Sequence, residues 1–372
     1  MSGKIQIGII FGGRSGEHEV SLMSARSVIS VLDPDQYNVT AIGITPNGAW
    51  VTGADALEAL EKRSWDHLPG AALLPEPRGG TLFTSRVLNG GLQLNEFSQL
   101  DVIFPVLHGT FGEDGCIQGL FEMANVAYIG PGVLSSSLGM DKGVFKDVMR
   151  THNLPVLESK VFSRREILSS VDEVVEEAEC IAPYPLFTKP VNLGSSVGIT
   201  KCKNRAGLKD GLLSAARYDR RVLVERGISA REIEISVLGN DQPRASVAGE
   251  IIPMAEFYTY EAKYEDDRTR LVIPAPISPE QLAYIQDIAL RTFRVCDCAG
   301  LARVDFLLEK ETGKFYLSEY NTIPGFTQVS MYPKLWEASG LLYPALINRL
   351  VELALERRAE INQLERKFRR DG

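Results

Sequence analysis

The chain has 372 residues, 44% of them hydrophobic and 24% charged, which is ordinary globular material and enough for two or three domains with cores of their own; a disordered or fibrous protein is excluded. The formal net charge of −8, with no basic stripe interleaved with aromatics, argues against nucleic acid as a partner. Nowhere do about 18 apolar residues run together, so nothing is expected to span a membrane.

Ile5 to Phe11 is a short, β-branched, nearly continuous apolar run, the pattern of a strand buried on both faces. It lacks a charged lead and a small-residue cleavage site and stops at Gly12-Gly13-Arg14, so it is read as a first strand and not as a signal peptide. A periodic segment, Glu19 to Leu32, predicts the helix that follows. Asn38 to Thr45 and Asp101 to Leu107 repeat the strand signal, and Gln118 to Ala124 is helical in pattern, so the first ~140 residues suggest a doubly wound α/β domain. Leu57 to Gly91 is the least periodic region, and its Pro and Gly content predicts a variable surface insertion rather than core.

A helix is expected around Asp141 to His152. Strand-like pieces then alternate with glycine loops (Leu186 to Lys189, Val197 to Lys201, Arg221 to Glu225, Glu232 to Leu238), which suggests a smaller α+β domain ending near Ser229. A hairpin follows, Arg303 to Leu308 and Lys314 to Asn321, joined through Thr312-Gly313. The chain closes on a helix from about Tyr343 to Arg369, read as core-packed at first and as a solvated, partly frayed tail after Glu356. Of the cysteines, only Cys296 and Cys298 are close, and neither they nor Cys116, Cys180 and Cys202 have a zinc-site pattern; all are expected to be reduced, buried thiols of a cytosolic protein.

The strongest chemical signal is R-V-D-F-L-L (303–308) followed by L-S-E-Y-N-T-I-P-G (317–325). Side chains alternate faces along a strand, so Glu319 and Asn321 point the same way and the neighbouring strand can bring Asp305 to the same spot. Three hard oxygen donors would then converge, a set that suits a nucleotide-bound magnesium better than an all-protein cage. K-P-V-N-L-G-S-S-V-G (189–198) puts a lysine at a strand end before a small, glycine-rich loop, which either lets backbone N–H groups approach phosphate or is a plain hairpin turn. Neither the G-x-x-x-x-G-K-[ST] pattern nor a kinase catalytic loop is present.

H-G-T-F-G-E-D-G-C-I-Q-G (108–119) directly follows a buried strand, where open α/β sheets keep their binding loops. His108 taken alone is more often a satisfied strand-end residue than a functional one. In G-G-R-S-G-E-H-E-V-S (12–21), Glu17 either pairs with a cationic amine or merely complements a helix N-terminus.

These four elements, in this order and at these spacings, resemble the D-alanine:D-alanine ligases of the ATP-grasp superfamily from Lys4 to Leu342, with F-Y-T-Y-E-A-K-Y (257–264) as a further point of likeness. The resemblance implies an α/β and α+β ATP-grasp fold in three domains: a doubly wound parallel α/β domain over 1–141, a central one over 142–229 and a C-terminal one over 230–372. ATP would lie between the last two. It implies ATP and two magnesium ions, with manganese as an alternative, a cytoplasmic location, and a homodimer through the N-terminal domain.

Residue by residue, the resemblance puts Lys142, Lys189 and Ser196 on the nucleotide and Lys263 near the transferred phosphate. Glu225, with the backbone at Arg226 and Ile228, would take adenine and Glu232 the ribose. Asp305, Glu319 and Asn321 would hold the metals. Arg303 and the Gly325 N–H would steady the acyl phosphate and the oxyanion formed from it. Glu17 would hold the first D-alanine's ammonium and bond to Ser195, which reaches Tyr264 on a closing lid, while His108 lines that subsite. Ser330 and Met331 would take the second substrate's carboxylate. Tyr264 favours an amine acceptor over a hydroxyl.

Tyr320 departs from the family, which usually has a small aliphatic residue there; alternation turns it away from the metal face, so it is expected to alter packing and not ligation. Three other readings compete: a ligase with another acceptor, such as D-lactate or a different amino acid; a nucleotide-binding regulator, which would have lost metal or phosphate residues that are all present here; and a nicotinamide dehydrogenase, which fails because 12–16 lacks G-x-G-x-x-G.

Overall fold

Among the described residues three sheets succeed one another along the chain, each made from one stretch of sequence. The computed structural model describes residues 3–88, 90–194, 197–252 and 270–365. The first sheet holds β1 (Ile5–Gly12), β2 (Tyr37–Ile44), β3 (Trp50–Thr52), β4 (Gly70–Leu73), β5 (Thr81–Leu88), β6 (Gly91–Gln99), β7 (Val102–Pro105) and β8 (Ala127–Tyr128), in the order β6-β5-β4-β3-β2-β1-β7-β8. The β2-β1-β7-β8 half is parallel, and Ile7, Ile9, Ile10 and Phe11 of β1 are fully buried, as a strand covered on both faces requires. Helix His18–Val31 lays Leu22, Ala25 and Val28 against it at three-residue steps.

The other half corrects two expectations. β3 to β6 pair antiparallel, so the sheet is mixed and not wholly parallel. The 57–91 region is part of that extension and not a surface insertion, since Leu57, Leu60, Leu73, Leu82 and Phe83 are buried. β3 and β4 are short, β5 is buried over its first three residues and exposed over its last three, and β6 is exposed along almost its whole length, so little alternation shows in the sequence.

The second sheet, β9 (Ser159–Ser163), β10 (Leu186–Pro190), β11 (Thr200–Cys202) and β12 (Arg221–Arg226), is antiparallel in the order β11-β10-β12-β9. The third has β13 (Ala230–Gly239), β14 (Arg244–Ile252), β15 (Arg270–Val272), β16 (Gly300–Glu309) and β17 (Phe315–Asn321), in the order β15-β14-β13-β16-β17. β13, which begins just past the boundary expected near Ser229, is the centre of the third. One face of β16, Ala302, Val304, Phe306 and Leu308, packs with Ile285, Ile288, Ala289 and Phe293 of helix Pro279–Val295. The opposite face is thereby left to carry Arg303 and Asp305.

Helix Tyr343–Gln363 returns to the first core, burying Leu346, Ile347, Leu350 and Val351 with Phe11 and Leu22. Its charged end is not simply solvated: Arg357 donates to the Gly130 carbonyl at 2.6 Å, and Arg358, 7% exposed, meets Glu122 at 3.1 Å. Cys202, Cys296 and Cys298 are buried thiols, whereas Cys116 and Cys180 are exposed, against expectation. Among the described residues no helix is long and apolar enough to cross a membrane.

Candidate active site

The carboxyl ends of β1 and β7, which lie side by side, place the loops 12–17 and 108–115 next to each other. Gly12 has φ +88°, and a Cβ there would stand 2.2 Å from the Ile44 carbonyl oxygen, so this turn admits no side chain. Ser15 Oγ donates to the His108 carbonyl at 2.8 Å and ties the loops together. Glu17 faces Gly109, where a Cβ would come within 2.7 Å of Glu17 Oε2.

His108 is 4% exposed, with both ring nitrogens engaged. Nδ1 lies 3.1 Å from the Ile323 carbonyl, which can only accept, so Nδ1 carries the proton; Nε2 then accepts from Ser24 Oγ at 3.1 Å. Burial holds the imidazole below its ordinary range although Glu17 opposes it, and the ring is neutral.

Helix Lys142–Thr151 starts on the side chain of Asp141, which accepts from the Val144 N–H at 3.0 Å. Lys142 Nζ donates to the Leu193 carbonyl at 2.8 Å and lies 3.4 Å from Glu319. One turn on, Lys146 points inward and pairs with Glu225, whose other oxygen takes Lys189 at 2.7 Å. Register explains the second contact: Glu225 stands directly across from Phe187, and Lys189 is the next residue on that face. Burial alone would push the Glu225 carboxyl up, but the two ammonium groups overcome it and hold it at about 2. Glu225 therefore supports Lys189 within the described chain, whatever else it touches.

On the third sheet Asp305 stands opposite Glu319, Arg303 opposite Asn321, and Glu234 opposite Asp305 on the other side. Arg303 grips both Asp305 oxygens at 2.7 Å and meets Glu234 at 3.0 Å, while Asn321 Nδ2 donates to Asp305 Oδ2 at 2.7 Å. The three oxygen donors expected from alternation do share one face. Tyr320 points away into the core, its ring stacked 6.0 Å from Phe145 and its hydroxyl 2.8 Å from Ser135 Oγ.

After Asn321 the chain crosses Thr322 to Gly325, and Ser330 opens helix Met331–Ala338. Ser330 Oγ accepts from the Thr327 N–H at 3.1 Å and lies 3.0 Å from where a Gly325 Cβ would stand. Every candidate among the described residues lines one cavity of about 1650 Å³: Glu17, His108, Lys142, Lys189, Glu225, Arg226, Ile228, Glu232, Arg303, Asp305, Glu319, Asn321, Gly325, Ser330 and Met331. Ser195, Ser196, Lys263 and Tyr264 lie outside the described residues.

Three charged groups of the site were not singled out from the sequence. Lys146 lies four residues from Lys142 on the same helix face, a spacing that could have marked it. Glu234 is two residues from Glu232 on one strand and is buried beside Arg303. Glu113 sits inside the 108–119 motif, its carboxyl pushed up to about 8 by burial and by Glu17.

The chain is similar throughout to known ligases. Family models described as the D-ala D-ala ligase N-terminus and C-terminus match residues 6–131 and 148–352. The D-alanine–D-alanine ligase of Heliobacterium modesticaldum is 49% identical over 96% of each chain, and that of Natranaerobius thermophilus 47% over 96% of each. Among solved structures, the D-alanine–D-alanine ligase of Coxiella burnetii superimposes with a TM-score of 0.82 at 35% identity over 97% of each chain. The VanG D-Ala:D-Ser ligase of Enterococcus faecalis gives 0.83 at 32% identity over 95% of this chain and 100% of its own. With two family models spanning most of its length and curated relatives near half identical over almost all of it, the chain belongs to the D-alanine–D-alanine ligase family of the ATP-grasp fold.

Proposed function

We propose that the protein joins two molecules of D-alanine into D-alanyl-D-alanine, the dipeptide of peptidoglycan precursors, with hydrolysis of ATP to ADP and phosphate. The observation that carries this reading is one cavity lined at once by paired phosphate-type lysines, an acidic oxygen face, and a separate carboxylate, Glu17, suited to an ammonium group. In the first step a carboxylate oxygen of the first D-alanine attacks the γ-phosphorus and ADP leaves. In the second, the amine of the other D-alanine attacks the acyl carbon, loses a proton, and displaces phosphate.

Lys142 and Lys189 hold phosphate oxygens as point charges, and Lys189 is kept protonated against its burial by Glu225. Ser196 and Lys263 complete that group, and Glu225, Arg226, Ile228 and Glu232 receive the nucleoside. Glu17, with Ser195 and His108, fixes the first substrate's ammonium. Ser330 and Met331, at the start of a helix, receive the second substrate's carboxylate. Arg303, itself held rigid by Asp305 and Glu234, and the Gly325 N–H face the charge that develops on the acyl group. Tyr264 belongs to the cover that keeps water from the acyl phosphate.

Asp305, Glu319 and Asn321 supply converging hard oxygen donors, which fits magnesium, two ions or manganese in their place. When bound, the metal neutralises phosphate charge. The division at 141 and 229, the homodimer through the first sheet's domain and a cytoplasmic location complete this reading.

The test is ADP and phosphate release with D-alanine alone, L-alanine alone, and D-alanine with D-lactate, products identified by mass. Dipeptide from D-alanine alone is expected. Depsipeptide as the main product at neutral pH, or no turnover with D-alanine, would overturn the substrate assignment.

A further inference from the structure

Glu113 is half-buried in the wall of the cleft, and no step above uses it. Its two carboxyl oxygens take two main-chain donors from separate parts of the chain: Oε2 accepts from the Gly109 N–H at 2.7 Å, and Oε1 from the Ile323 N–H at 3.1 Å. Gly109 belongs to the loop after β7 and faces Glu17. Ile323 lies between Asn321 and Gly325, in the short run that leaves β17. One side chain therefore joins the first-substrate side of the cleft to the segment that carries the Gly325 N–H. His108 holds the same residue by its carbonyl, and Ser24 Oγ reaches the Phe326 N–H at 3.4 Å, so the segment is gripped at successive points.

We propose that Glu113 is a positioning residue for the ligation step: by holding the Gly109 and Ile323 amides with one carboxyl, it sets the distance between the first-substrate subsite and the Gly325 N–H. This rests on the role given above to Gly325. The chemistry needs a carboxyl here. An amide accepts through one oxygen and turns its NH₂ toward the second N–H, and aspartate is one methylene too short to span both. A misplacement of about 1 Å at a reacting centre is worth up to roughly a hundredfold in rate.

Stability separates positioning from a merely structural role. Among the described residues Glu17 and Arg303 are the charged groups that act on the carboxyl, and burial followed by Glu17 pushes it up to about 8 while Arg303 opposes the rise. A carboxyl raised above its ordinary range opposes folding increasingly as pH rises from that range to 8, because the folded state retains the proton longer. Replacing it with a neutral amide removes that opposition but gives up one of the two N–H bonds, so at pH 8 the two effects oppose each other and the fold stays close to wild-type stability.

The experiment compares wild type, Glu113→Gln and Glu113→Asp at pH 8: kcat and the KM for ATP and D-alanine, thermal unfolding, and amide hydrogen exchange of the peptide spanning 322–326. Expected in both variants is a kcat lower by about tenfold to a hundredfold. The KM for ATP should stay within about twofold and exchange of that peptide should accelerate; Glu113→Gln should also keep its melting temperature. A kcat of Glu113→Gln within twofold of wild type, or exchange equal to wild type, overturns the proposal. Should the wild type form no dipeptide, the substrate reading falls by itself and the exchange result still decides the clamp.

Discussion

Lys146 and Glu225 form an ion pair between helix Lys142–Thr151 and β12 with side chains 2% and 3% exposed. Such a pair, taken out of water, is held by geometry and by the second cation on Glu225, Lys189. It links the helix that begins with Lys142 to the strand beside Lys189, so Lys146 and the phosphate lysine Lys189 share one buried counter-charge.

Lys146→Met is therefore expected to lower stability by about 3 kcal/mol, the low end for breaking a buried pair because Lys189 remains. It should raise the KM for ATP more than it lowers kcat. Urea unfolding with steady-state kinetics checks both, and a variant as stable as wild type with an unchanged KM would refute the shared counter-charge.

Acid stability follows from the same group. Glu225 is held at about 2 against an ordinary 4.5, so its ionised form favours the fold. The contribution is complete above the ordinary value and is lost as pH falls from about 4.5 to about 2. Glu225→Gln should show a shallower loss of stability across that window, measured by denaturant unfolding at stepped pH. Parallel acid limbs for variant and wild type would count against it.

The oxygen face of the third sheet predicts a metal requirement. Chelation should stop ADP formation, and Asp305→Asn or Glu319→Gln should raise the half-saturating magnesium concentration at least about tenfold, the effect that loss of an outer partner alone can have. Turnover persisting in excess chelator would remove these residues from metal binding.

Tyr320→Phe removes a buried hydroxyl from Ser135 while leaving the ring on Phe145. A loss of about 1 kcal/mol is expected, the usual net worth of such a bond. Magnesium dependence should not move, since the side chain points away from Glu319 and Asn321. A shift in half-saturating magnesium with the fold intact would show that packing behind the strand does reach the ligands.

What the sequence determined by itself was whatever depends on near neighbours. The period of two along 303–308 and 317–321 puts Asp305, Glu319 and Asn321 on one face whether or not the rest of the fold is known, and β16 and β17 pair accordingly. The order and spacing of the glycine motifs carried the family in the same way. Only the tertiary structure decided which distant groups meet. His108 and Glu113 find Ile323 more than two hundred residues away. Lys146 reads like any surface lysine until β12 brings Glu225 to it, and Arg357 and Arg358 read as a solvated tail until the last helix docks on the first sheet. A charge looks the same in sequence whether it faces water or a partner; burial and pairing are properties of packing between segments, and local pattern carries no record of them.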